Sequence, residues 1–138
     1  MKDRFFKICN NCLFVTKRLK MILLIEDNLY VRENTTEILE LAGYNVIAAC
    51  DGKQGVKLAQ VQVPELIICD IMMPELDGYG VLSLLKKDTL TAGIPFIFLS
   101  AKEEVRDSQK SKGADAYLTK PFDDKNLLDT IEACLKKK

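Results

Sequence analysis

From Met21 onward, short apolar runs alternate five times with stretches of helical spacing, and this alternation limits the fold more than any other feature of the chain. Met21–Ile25 is wholly apolar and stops at Glu26-Asp27. Asp27 or Asn28 is placed to cap a helix whose stripe is Val31, Ile38, Leu39 and Ala42, with Gly43 at its end. Asn45–Ala49 reads as the second strand, and Asp51 caps a weak helix to about Gln62 with Gly55 inside it. Residues 66–69 form the third strand, ending at Asp70, and a helix opens at Asp77-Gly78. Residues 94–99 form the fourth, ending at Ser100, and a polar helix runs on to Gly113. Ala116–Thr119 is the fifth, ending at Lys120-Pro121. The last helix carries Leu127, Leu128, Ile131, Cys134 and Leu135 on one face. Continuous apolar strands are those of a parallel sheet covered on both faces, so the expectation is a doubly wound α/β domain.

The polar residues in this pattern gather in one place. Glu26 and Asp27 end the first strand, Asp70 the third, Ser100 the fourth and Lys120 the fifth. In an open parallel sheet these carboxyl ends share one edge, where such folds bind ligands. Any one carboxylate alone would read as a helix cap. Together, three carboxylates, a hydroxyl and an ammonium form a set whose repulsion a hard divalent cation relieves. Lys120 would neutralise a second anion, for which phosphate is the natural candidate. A carboxylate nucleophile, a metal and a cation around a phosphoryl group is an arrangement for making an acyl phosphate.

Four segments carry a resemblance. Residues 22–28 (ILLIEDN), 69–78 (CDIMMPELDG), 99–102 (LSAK) and 113–122 (GADAYLTKPF) are similar to the receiver domains of two-component response regulators, single-domain chemotaxis regulators among them. The resemblance runs from about Met21 to Leu135, and the ordered combination is specific where each segment alone would not be. It implies a flavodoxin-like, five-stranded sheet of order 2-1-3-4-5. It also implies Asp70 as phosphoacceptor and Mg²⁺ as cofactor. The metal would be held by Asp27, Asp70, the backbone carbonyl of Met72 and, through water, Glu26. Lys120 would bind a phosphoryl oxygen, Ser100 would turn inward to hydrogen-bond the phosphoryl group, and Tyr117 would follow as a rotamer switch. Lys120-Pro121 would be cis. The implied activity is a signalling switch, not an enzyme beyond Mg²⁺-dependent self-phosphorylation and self-dephosphorylation.

Composition narrows the partners. Balanced charge, with 20 basic and 20 acidic residues, argues against nucleic acid. No apolar run has membrane-spanning length. The five cysteines are odd in number and scattered, so they form no disulfide framework, and the expected compartment is the cytoplasm. The lone Cys9-Asn10-Asn11-Cys12 lacks a second ligand pair for zinc. Histidine is absent, which excludes Ser-His-Asp and Cys-His catalysis and places any phosphohistidine donor in another protein, a sensor kinase or phosphotransfer protein. The downstream partner is a further protein that the sequence does not name. Residues 1–20 carry six basic side chains against Asp3 alone, and are expected to be a flexible extension preceding a receiver domain over 21–138. Only Lys136–Lys138 follow the last helix, so no output domain is expected after it.

Other classes fit less well. Phosphatase or nucleotide chemistry would need a phosphate-cradling glycine loop, which the chain lacks. Flavin binding would meet repulsion from Glu26 and Asp27. The alternative to a phosphorylation switch is a receiver-like protein-binding module that acts without phosphorylation. The chain departs from the family between Lys102 and Lys112, which is short with Val105 its one clearly apolar residue, and at Ala116, where many relatives carry Asp. With Asp123-Asp124 opening the last helix, these departures favour a monomer over the symmetric activated dimer of DNA-binding relatives. Met72 and Lys102 offer no carboxylate or amide to orient a hydrolytic water, so a long-lived aspartyl phosphate is expected.

Overall fold

A computed structural model of the chain describes residues 5–10, 13–101 and 113–137, with side chains from residue 19 onward. The polar stretch 102–112, with its expected helix and Lys102, lies outside the described residues.

The basic extension contains backbone pairing that the charge pattern did not suggest. Strands β1 (Phe5–Asn10) and β2 (Leu13–Arg18) pair antiparallel, from Phe5↔Arg18 to Asn10↔Leu13. The β-favouring Phe, Ile, Leu, Val and Thr between the basic residues are the local reason.

The main sheet comprises β3 (Met21–Ile25), β4 (Asn45–Ala49), β5 (Leu66–Asp70), β6 (Phe96–Ser100) and β7 (Ala116–Thr119), all parallel, in the order β4-β3-β5-β6-β7. This is the expected 2-1-3-4-5 order. Helices α1 (Leu29–Leu41), α2 (Gly52–Gln62), α3 (Gly78–Lys86) and α4 (Asp124–Lys136) connect and cover it. Side chains alternate between faces along each strand. Leu23, Ile25, Ile67, Cys69, Phe96 and Phe98 pack with Ala59, Val81, Leu82 and Leu85 on one side. Ile22, Leu24, Leu66, Ile68, Ile97 and Leu99 pack with Leu39, Leu127, Ile131 and Cys134 on the other. Burial on both faces is why β3, β5 and β6 contain so few polar residues.

The helix starts follow from short polar side chains. Asn28, Asp51, Asp77 and Asp123 each accept the backbone N–H three residues on. Gly43, at φ +99°, follows α1 in the left-handed region that glycine adopts without penalty. The stripe of α1 differs from expectation. Thr35 and Leu39 are its buried residues, whereas Ala42 is exposed because the helix ends there and the chain turns towards β4. The fourth strand begins at Phe96, after Ile94 has already entered the core.

Two glycines mark close approaches. A Cβ at Gly55 would collide with the Ile25 side chain, so the residue that weakens α2 also lets it lie against β3. A Cβ at Gly78 would collide with the Asp70 carbonyl oxygen and lie 2.8 Å from Ile71 Cα. These are backbone atoms at the end of the strand that carries Asp70, and they cannot move aside as a flexible side chain would. We expect Gly78→Ala to lower the unfolding free energy by about 1–3 kcal/mol in urea denaturation. An unchanged midpoint would mean that α3 can shift freely.

Candidate receiver site

The carboxyl ends of β3, β5, β6 and β7 bring most of the predicted residues together. Glu26 and Asp70 are buried, at 0% and 5% exposure, and Asp27 is exposed beside them. Their carboxylate oxygens lie within 4.8 Å of one another. Lys120 reaches in from the end of β7, its Nζ 3.0 Å from Glu26 Oε1 and 3.3 Å from Asp70 Oδ1. The Lys120-Pro121 peptide is cis, and Lys120 N donates to Ser100 O at 2.8 Å, tying the ends of β6 and β7.

Burial shapes the charges. The Asp70 carboxyl is pushed from 3.8 up to about 7, first by desolvation and then by the neighbouring Glu26 charge, against the pull of Lys120. Burial pulls the Lys120 ammonium down, but its hydrogen bond to Glu26 and the charges of Asp70 and Glu26 outweigh this and hold it above its ordinary value. The Cys69 thiol is pushed well up by burial and by Asp70, Glu26 and Asp77, so it stays a neutral core group.

The remaining predicted residues surround this centre. Ser100 is buried at the end of β6. Tyr117, on β7, packs its ring 5.5 Å from that of Phe98, with Phe98↔Tyr117 in register. Met72 follows Asp70 by two residues, and its side chain stands in solvent at 63% exposure. An open cleft of about 680 Å³ flanks Lys120, lined by Tyr30, Asn34 and Thr35 of α1 and by Phe122.

Sequence reasoning missed Arg32. Its guanidinium Nη1 donates to the carbonyls of Glu26 at 2.9 Å and Asp27 at 3.4 Å. The available signal was a basic residue six positions after Glu26, which in isolation reads as part of a solvated helix face.

The family model for the response regulator receiver domain matches residues 22–132. The chain belongs to that family. Among relatives of this receiver, the DNA-binding dual master transcriptional regulator RpaA of Synechocystis sp. is 40% identical over 118 residues, which are 84% of this chain and 49% of RpaA. The receiver thus spans about half the length of that DNA-binding relative. Protein PilH of Pseudomonas aeruginosa is 39% identical over 83% of the receiver and 96% of PilH. The chemotaxis protein CheY4 of Vibrio cholerae superposes with a TM-score of 0.79 at 28% identity, covering 84% of the receiver and 98% of CheY4. Fold and family therefore agree, and the chain is a receiver of two-component signalling. No helix among the described residues is long and apolar enough to cross a membrane.

Proposed function

We propose that this receiver is a switch set by phosphorylation of Asp70. The observation that carries the reading is Lys120, whose ammonium bridges the buried carboxylates of Glu26 and Asp70 beside Asp27. The phosphoryl group comes from the phosphohistidine of a sensor kinase or phosphotransfer protein. An Asp70 carboxylate oxygen attacks phosphorus, the P–N bond breaks, and the imidazole leaves. Lys120 carries the positive charge that meets the incoming phosphoryl oxygens. Ser100 supplies a hydroxyl to the same group, and Tyr117 follows it, changing the face presented to a downstream protein.

The donor set fits Mg²⁺. Three carboxylates are hard oxygen ligands, and their crowding is the kind that a divalent cation relieves. Asp27, Asp70 and the Met72 carbonyl would hold the ion directly, and Glu26 through water. When bound, it would neutralise charge on the phosphoryl oxygens. The receiver would act as a cytoplasmic monomer on another protein, without turnover of other substrates, without nucleic acid as partner and without insertion into a membrane. The domain that does this is residues 21–138.

The test is incubation with acetyl phosphate, with Mg²⁺ or with EDTA, followed by intact-mass measurement. The full chain and a chain starting at Met21 should each gain one phosphoryl group with Mg²⁺ and none in EDTA. If neither gains one, the receiver is a binding module that acts without phosphorylation. If only the full chain does, residues 1–20 belong to the switch.

A further inference from the structure

We propose that Arg32 is a positioning residue for the acidic pair, acting by holding the peptide that joins Glu26 to Asp27. The two carboxylates are fixed very differently. Glu26 is buried, and its carboxylate is held by Lys120 Nζ at 3.0 Å and by the Asn28 N–H at 3.2 Å. Asp27 is exposed, and no described side chain holds its carboxylate. Among the described residues, its direction is set by the backbone.

That backbone is tied from α1. Arg32 N donates to Asn28 O at 2.9 Å, closing the first turn, and Glu26 N donates to Ala49 O at 3.1 Å on β4. Between these anchors, Arg32 Nη1 donates to Glu26 O at 2.9 Å, with a longer contact to Asp27 O. The Glu26 carbonyl belongs to the peptide plane that sets where Asp27 Cα lies and which way its side chain leaves. Without that bond, repulsion between neighbouring carboxylates would turn the loop and swing Asp27 away from Asp70.

This inference rests on the reading that the cluster holds Mg²⁺, and a charge effect predicts the opposite sign. Arg32 is a cation near a cation site, so if it acted only through its charge, removing it would tighten Mg²⁺ binding. If it positions Asp27, removing it weakens binding, as loss of groups that orient metal ligands does.

Calorimetric titration with Mg²⁺, well below the unfolding temperature, separates the two. The Kd of Arg32→Met should rise about tenfold, while Glu33→Ala, on the exposed side of the same helix, should match wild type. Equal or tighter binding by Arg32→Met overturns the proposal. Should Arg32→Met fail to fold, Arg32→Lys decides. It keeps the charge and loses the planar fork, so weaker binding supports positioning and unchanged binding overturns it. If wild type itself binds no Mg²⁺, the metal reading falls and this inference with it. If wild type binds and the Arg32 variants bind equally well, only this inference falls.

Discussion

Asp70→Asn should make the metal-free protein more stable, not less, by a margin that grows from about pH 4 and levels off above about pH 7. The Asp70 carboxyl has a folded-state value of about 7 against an ordinary 3.8. A raised value means that the fold prefers the protonated form. The stability associated with this proton is fully present below the ordinary value and is lost as pH rises through about 7. At pH 8 in EDTA the native state must carry a buried anion beside Glu26, and asparagine removes that charge. The expected gain is on the order of 2–4 kcal/mol at pH 8, vanishing near pH 4. Urea denaturation at the two pH values checks it. Adding Mg²⁺ at pH 8 should stabilise wild type more than the variant, because only wild type keeps all three carboxylates. A variant less stable than wild type at pH 8 in EDTA would show that the Asp70 anion is well compensated.

Lys120→Met should act in the opposite direction. Its ammonium is the described cation in contact with both buried carboxylates, and removing one partner of a buried cluster leaves uncompensated charge. A loss of about 3 kcal/mol at pH 8 in EDTA is expected. Phosphorylation by acetyl phosphate should slow on the order of a hundredfold, because a preorganised charge facing the phosphoryl oxygens is gone. The two substitutions should not add. With Asp70 already Asn, Lys120 has only Glu26 to neutralise, so Lys120→Met should cost less than in wild type. Additive effects of the two substitutions in the double-variant cycle would contradict the direct coupling that the 3.3 Å contact implies.

The alternation of parallel strands with helices and the site's location were legible because both rest on pattern, whereas the strand order was implied by the family resemblance alone. The apolar runs of β3, β5 and β6 are the direct result of burial on two faces, and polar residues at the same ends of four strands can meet only at one sheet edge. Caps were legible for the same reason, since Asn28, Asp51 and Asp77 stand just before helical spacing begins. Contacts set by reach were not legible. Nothing in the sequence says that Lys120 lies closer to Glu26 than to Asp70, or that Glu26 is fully buried. Arg32 was invisible because its work is done on carbonyl oxygens, which have no letter in a sequence. Gly55 read as a flaw in α2 until Ile25 was seen against it. The pairing of β1 with β2 was masked by the basic residues interspersed among its β-formers.

The central claim is that the phosphoryl group resides on the Asp70 carboxylate. Borohydride reduces an aspartyl phosphate to homoserine, which marks the acceptor permanently. The protein is treated with acetyl phosphate and Mg²⁺, reduced, digested and sequenced by mass spectrometry. The account predicts homoserine at position 70, absent when Mg²⁺ is withheld. Homoserine at Asp27, or label on a serine or threonine with Asp70 unchanged, would contradict it.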